Sequence, residues 1–297
     1  MKLDVVTGFL GAGKTTLIRR LLPAYRGAGL SVALIENEFG QVGVDGTLLR
    51  REGLEIYELA QGCICCTVKG DFIETILRIR ETLNPDRILL EPSGIFAVEE
   101  LFAILRLPRV AQCLTLNAIL SVVDAQNYLA VRAKYGWFFR GQTKFASAFV
   151  VSKAQLVEPE ALLAVTEGLA QGSAGAPVIA RDWAEVTDAE WLGLLDGSAS
   201  LPAPAARRRG RHGLAAVGFP GSGDWTRERL AERLAELGRG DYGEVVRAKA
   251  LLRLPEGNRA LQWVMGSWEL EPAPGDEPRW AFIGENLDEG ALKRDFQ

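Results

Sequence analysis

Gly8-Phe9-Leu10-Gly11-Ala12-Gly13-Lys14-Thr15-Thr16 fits the pattern G-x-x-x-x-G-K-[ST], and it constrains the fold of this chain more than any other stretch. The pattern carries its chemistry only between a strand and a helix, and both flanks comply. Leu3 to Val6 is an apolar run that reads as a buried strand, and Leu17-Ile18-Arg19-Arg20-Leu21-Leu22 has helical spacing. Glycines at 8, 11 and 13 let the backbone turn tightly enough to aim its N–H groups at phosphate oxygens, and the helix N-terminus adds positive partial charge at the same point. In that geometry Lys14 reaches the β- and γ-phosphates and the Thr15 hydroxyl ligates Mg²⁺, with Gly11, Ala12, Gly13 and Thr16 in the same nucleotide-binding loop. The motif predicts a nucleoside triphosphate as ligand.

The alternation of strand and helix continues through the first 180 residues. Ser31 to Glu36, Leu54 to Leu59, Arg87 to Pro92, Ala118 to Asp124, Ala148 to Ser152 and Ala176 to Ala180 read as strands, with helices over Phe72 to Leu83 and near Val98 to Leu105. Strands this apolar predict a mainly parallel sheet covered on both faces, the α/β architecture of a P-loop nucleoside triphosphatase. Ligands of such sheets bind at the carboxyl ends of the strands, where the P-loop sits.

The pattern changes after about residue 185. Gly197 to Gly213 is rich in Ala, Pro, Ser and Arg and reads as a linker, so the expected division is a nucleotide-binding domain over 1–185, a linker over 186–213 and a small α+β domain over 214–297. In that last part Leu214 to Phe219, Val245 to Leu254, Ala260 to Leu270 and Arg279 to Gly284 read as strands, with helices over Thr226 to Leu237 and Leu287 to Phe296. The net charge of −4 gives no reason to expect nucleic acid as a partner, and the basic run Arg207-Arg208-Arg209 with Arg211 reads as part of the solvated linker. No apolar run approaches the ~20 residues that a membrane span needs. Met1-Lys2-Leu3-Asp4 leads straight into the strand without the features of a signal peptide, so the expected location is the cytoplasm.

Four cysteines in such a chain are expected as ligands or inert thiols rather than disulfides. Three of them crowd into Gly62-Cys63-Ile64-Cys65-Cys66-Thr67. Thiolates are soft donors that suit Zn²⁺ and Cu⁺, and the three can face one ion if the chain turns at Gly62 or Cys66. Packing of small buried thiols and a vicinal redox pair at Cys65-Cys66 are the other readings of the same residues. Glu36-Asn37-Glu38-Phe39-Gly40 closes the second strand, where acidic side chains can hold Mg²⁺ through water, position an attacking water or ligate a second metal; an exposed, charged strand end is the alternative. Glu38 is the candidate catalytic acid there. Glu91-Pro92-Ser93-Gly94 takes the place of a Walker B acid, Glu91 at Mg²⁺, followed by a glycine, Gly94, whose N–H can bond the γ-phosphate and lose that bond on hydrolysis.

These four motifs together (G-F-L-G-A-G-K-T-T, E-N-E-F-G, G-C-I-C-C and E-P-S-G) resemble the CobW family of P-loop GTPases, the cobalamin-synthesis W and zinc-chaperone group. Val246-Arg247-Ala248-Lys249-Ala250 and Phe282-Ile283-Gly284 resemble that family's C-terminal domain as well. The resemblance implies a GTPase that carries or inserts a transition metal, with hydrolysis gating transfer to a client metalloprotein. It implies phosphate and Mg²⁺ at Gly13, Lys14, Thr15 and Thr16, and the transferred metal at Cys63, Cys65, Cys66 and Glu36. Zinc is the default ion for mixed thiolate and carboxylate donors, cobalt(II) the next.

Three positions depart from the family pattern. The guanine-reading motif N-K-x-D, or S-K-x-D, is here Ser152-Lys153-Ala154-Gln155, so the nucleotide-binding residues Ser152, Lys153 and Gln155 lack the carboxylate that accepts from guanine N1–H and N2. GTP is the expected nucleotide, and relaxed recognition would admit ATP. Gln41 stands where an acid is frequent, and His212 is the single histidine where many members carry a histidine-rich loop. The leading expectation is a slow, nucleotide-dependent metallochaperone. A second is a nucleotide-binding regulatory or activator module for a metal or corrinoid enzyme, with weak turnover. A third, a small-metabolite kinase on the same sheet, has no substrate motif to support it.

Overall fold

A computed structural model of the chain describes residues 1–36, 55–58, 69–92, 94, 98–172, 175–197, 199–202, 214–221, 225–273 and 277–297. The chain divides into two compact units, whose described residues end at 202 and begin at 214.

The first unit is a seven-stranded sheet in the order β3-β2-β4-β1-β5-β6-β7, with every neighbouring pair parallel. Its strands are β1 (Lys2–Gly8), β2 (Val32–Glu36), β3 (Glu55–Glu58), β4 (Arg87–Glu91), β5 (Thr115–Asp124), β6 (Ala148–Ser152) and β7 (Val178–Ile179). Apolar side chains on both faces of β1, β2, β4, β5 and β6 explain why those runs read as continuous rather than alternating. On one face Leu3, Val5, Ile35 and Leu90 pack with Phe72 and Ile76 of α2 (Lys69–Thr82) and Leu101 of α3 (Val98–Leu105). On the other, Val6, Leu34, Leu89 and Leu120 pack with Leu17, Ile18 and Leu21 of α1 (Lys14–Gly27). A short α4 (Pro108–Ala111) precedes β5. Between β5 and β6 lie α5 (Tyr128–Lys134) and α6 (Gly136–Thr143), and α7 (Pro159–Gly172) covers β6.

The stretch expected to be a linker from residue 186 starts as structure. Residues 188–193 form α8 (Asp188–Gly193), and its Trp191, 1% exposed, packs into the α1 side of the core. A capping box holds this short helix: Thr187 Oγ1 accepts from the Glu190 amide at 3.3 Å, and the Glu190 carboxylate accepts from the Thr187 amide at 3.0 Å. The chain then crosses the amino-terminal end of the sheet. Asn117 Nδ2 donates to the Leu195 carbonyl at 2.7 Å, and the Ala199 amide donates to the Asn117 carbonyl at 3.0 Å. Asn117 also donates to the buried Asp4 carboxylate at 2.6 Å, beside Tyr25 (2.8 Å) and Arg87 (3.2 Å). Burial holds the Asp4 carboxyl above its ordinary range, against the lowering effect of these three partners.

The second unit is a five-stranded antiparallel sheet in the order β11-β10-β9-β12-β8. It comprises β8 (Leu214–Pro220), α9 (Arg227–Arg239), β9 (Glu244–Leu254), β10 (Gly257–Val264), β11 (Ser267–Pro272), β12 (Arg279–Glu285) and α10 (Glu289–Phe296). Its core is aromatic: Trp280 and Phe282 stack at 5.4 Å, and Phe296 meets both edge-on at 4.8 and 5.1 Å. The run Ala260 to Leu270, expected as one strand, is a hairpin. Met265 (φ 48°) and Gly266 (φ 97°) form a two-residue turn between Val264 and Ser267, with the doubly left-handed backbone that suits the twist of paired strands. Gly266 suits that backbone and methionine does not, so the sequence carries only half of the usual turn signal there.

Candidate functional site

The P-loop runs from the end of β1 into α1. Gly13 caps the helix in the left-handed region (φ 96°), a conformation that a side chain would oppose. Lys14 is buried, 5% exposed, and its Nζ donates to the Phe9 carbonyl at 3.4 Å, so the ammonium curls back over its own loop. Thr15 Oγ1 lies 3.0 and 3.2 Å from the two carboxylate oxygens of Glu91, and donates to that group. The two residues expected at Mg²⁺, 76 positions apart in sequence, are therefore in contact. A hydroxyl beside a carboxylate is the hard-oxygen donor set that fits Mg²⁺.

Glu36 ends β2 in register with Glu91 at the end of β4, one strand spacing or ~4.8 Å away. Both are buried, each 8% exposed. The residue expected at the transferred metal and the residue expected at Mg²⁺ thus stand side by side. Cys63, Cys65, Cys66 and Glu38, the other expected metal and catalytic residues, lie outside the described residues, as do Ser93, Gln41 and His212. Among the described residues no group of three or more His, Cys, Asp or Glu side chains is arranged to hold a metal ion. Cys113, the described cysteine, is half-buried in the turn after α4, where its Sγ donates to the Val110 carbonyl at 3.3 Å.

Gly94 follows β4 and touches the P-loop backbone. A Cβ there would lie 2.7 Å from the Leu10 amide nitrogen and 2.8 Å from Leu10 Cα, so this close approach needs glycine.

The expected base-reading residues follow β6. Ser152 is buried, Lys153 adopts the left-handed conformation (φ 57°), and Gln155 is exposed in a 3₁₀ turn over Ala154–Leu156. Lys153 Nζ pairs with Asp124 Oδ2 at 2.7 Å. Asp124, at the end of β5, also accepts from the Gln126 amide (2.9 Å) and from Asn127 Nδ2 (2.8 Å). Sequence reasoning missed Asp124 as a partner of Lys153; its position at a strand's carboxyl end was the available signal. It missed Trp183 too. The Trp183 indole donates to the Val151 carbonyl at 2.9 Å, and its ring edge would lie 3.6 Å from a Cβ on Gly13. It braces the P-loop against the end of β6.

No helix among the described residues is long and apolar enough to cross a membrane. The profile of the CobW/HypB/UreG nucleotide-binding domain matches residues 2–180, and that of the cobalamin synthesis protein cobW C-terminal domain matches residues 214–297. The chain is 35% identical over 237 residues to the zinc chaperone CobW of a Sinorhizobium species, covering 70% of this chain and 66% of that one. It is 31% identical over 279 residues to the zinc chaperone YeiR of Escherichia coli K12, covering 86% and 83% respectively. It is also 31% identical over 195 residues to the zinc-regulated GTPase metalloprotein activator 1 of Schizosaccharomyces pombe, covering 62% and 46%.

Proposed function

Because the chain belongs to the CobW/HypB/UreG family and carries that family's C-terminal domain, we propose that it is a GTP-dependent metallochaperone that binds a transition metal, zinc by default, and passes it to a client metalloprotein. The observation that carries this reading is the row of acids at the carboxyl ends of β2 and β4. Glu36 and Glu91 are neighbours in register, and Glu91 is bonded to the P-loop through Thr15. A change at the γ-phosphate is therefore one side chain away from a residue proposed to hold the cargo.

In this mechanism the P-loop amides and Lys14 bind the triphosphate, and Lys14 leaves the Phe9 carbonyl to reach the β- and γ-phosphates. Thr15 and Glu91 would hold Mg²⁺, whose charge would offset the negative charge of the phosphates. Gly94 senses the γ-phosphate, Glu38 is the catalytic acid, and hydrolysis is slow because the motifs supply neither an arginine over the phosphates nor a residue that holds the attacking water. The cargo ion is held by the thiolates of Cys63, Cys65 and Cys66 with Glu36. Its affinity falls with pH, since thiolates must lose their protons to bind. The relatives named as zinc chaperones support the choice of metal, and the one named as a metalloprotein activator supports a client.

One position favours a second reading. Gln155, exposed and uncharged, cannot reproduce the two charge-assisted bonds of an aspartate to guanine, which fits a regulatory module with relaxed base recognition. A competition titration of the full chain with GTP and ATP, with and without one equivalent of Zn²⁺, tests the two. A GTP preference that strengthens with zinc, accompanied by zinc-responsive turnover, is expected. Equal binding of both nucleotides with no response to zinc would replace the metallochaperone with the regulatory module.

A further inference from the structure

Gln142 has no part in the chemistry above, yet it is among the most deeply buried polar side chains of the first unit, at 2% exposure. An amide taken out of water is tolerated where its hydrogen bonds are made inside the protein. Gln142 Nε2 donates to the carbonyl oxygen of Gly94 at 3.3 Å, across 48 positions of sequence. Gly94 is hemmed in on its other side by the Leu10 backbone, where even a methyl group would overlap. It is therefore gripped between the P-loop and α6. The helix is fastened to the same loop by a second contact: Tyr135, which precedes α6, stacks on Phe9 with ring centroids 5.1 Å apart.

We propose that Gln142 is a positioning residue that holds Gly94 against the P-loop, where its N–H meets the γ-phosphate, so that triphosphate and diphosphate are told apart with the help of a hydrogen bond from α6. This rests on the reading of Gly94 as the γ-phosphate sensor. The carbonyl side of Gly94 is fixed by Gln142 and its Cα by Leu10, which leaves the N–H side to aim. Without the amide, the hydrogen bond that α6 makes to the Gly94 carbonyl is lost, and the cost appears where the γ-phosphate is bound. The P-loop, which holds the α- and β-phosphates, is untouched.

The test is the affinity of the full chain for a non-hydrolysable GTP analogue and for GDP, with Mg²⁺, in the wild type and in Gln142→Leu. The variant keeps the volume and removes the donor. The triphosphate-over-diphosphate affinity ratio should fall roughly tenfold, the size of one buried neutral hydrogen bond, while the affinity for GDP stays within about twofold. Gln142→Asn, which withdraws the amide by one methylene, should move the ratio in the same direction. A loss shared equally by both nucleotides would mean a structural role alone, and an unchanged ratio in a wild type that discriminates would remove Gln142 from the mechanism while leaving Gly94 in it. A wild type that binds both nucleotides equally would overturn the Gly94 reading and this proposal with it. Should Gln142→Leu fail to fold, hydrogen exchange of the wild type decides: residues 136–143 should exchange more slowly with the triphosphate analogue than with GDP, and equal exchange overturns the proposal.

Discussion

The bond between Thr15 and Glu91 offers a direct measure of how the empty and loaded states of the P-loop differ. The hydroxyl lies 3.0 and 3.2 Å from the two oxygens of a carboxylate that is 8% exposed, so the hydrogen bond is charge-assisted and poorly shared with water. Bonds of this kind contribute roughly 1.5–3 kcal/mol net. Thr15→Val keeps the branched shape and removes the donor, and for a unit of this size such a loss lowers Tm by roughly 3–12 °C. A double-mutant cycle with Glu91→Leu isolates the pair, because other contacts of Glu91 cancel within it. Urea unfolding followed through the methyl resonances of Leu17 and Ile18, buried in α1 just beyond Thr15, reads the cycle within the first unit. The expected coupling in the nucleotide-free protein is at least about 1.5 kcal/mol. Adding Mg²⁺ with a non-hydrolysable GTP analogue should then stabilise the wild type far more than Thr15→Val, if the hydroxyl has its proposed role as a metal ligand. A coupling below about 0.5 kcal/mol, within the error of additivity, would refute the bond as a contributor. Equal stabilisation of both proteins by Mg²⁺ and nucleotide would refute Thr15 as a ligand.

Two further outcomes follow from the geometry. Gln155→Asp should raise the preference for GTP over ATP by about tenfold or more, as the charge-assisted bonds to guanine are restored; an unchanged preference in competition binding would mean that the base is read elsewhere. The backbone amide of Thr187, then Arg181 and the Thr187 hydroxyl, hold the Glu190 carboxyl down at about 2. A carboxyl lowered on folding adds stability that is complete above its unfolded value near 4.5 and disappears as pH falls toward 2. An NMR titration should place Glu190 there, and Arg181→Ala should raise its pKa; a midpoint near 4.5 in the wild type would discard the cap.

What the sequence made legible was local. The P-loop, the strand ends at Glu36, Glu91 and Ser152, and the helix over Val98 to Leu105 each depend on residues within a few positions of one another, where spacing and turn chemistry act. The contacts that tune the site are not local. Gln142 meets Gly94 across 48 positions, and Lys153 meets Asp124 across 29. Nothing in the composition near Gln142 distinguishes it from a surface residue of an amphipathic helix. Two misreadings have other causes. Thr187-Asp188-Ala189-Glu190 has the form of a capping box, a local signal of α8 inside a stretch whose Gly, Ala and Ser content reads as linker. At Met265 the antiparallel pairing on both sides imposes a turn that the residue itself does not favour.

The contacts of Leu195 and Ala199 at the amino-terminal end of the sheet bear on where this chain can be divided. The nucleotide-binding profile ends at residue 180, yet Trp191 fills the α1 side of the core and Asn117 is bonded to Leu195 and Ala199. A recombination joint at residue 180 would strip the first unit of two indoles, Trp183 and Trp191, and leave the side chain of a buried asparagine beside Asp4 and Arg87 with a lost acceptor. A joint after residue 204, where the first unit ends, would keep these contacts in place. The first unit of this chain is therefore longer than its recognisable signature, and an exchange of its C-terminal unit should leave the stretch up to residue 204 with the nucleotide-binding half.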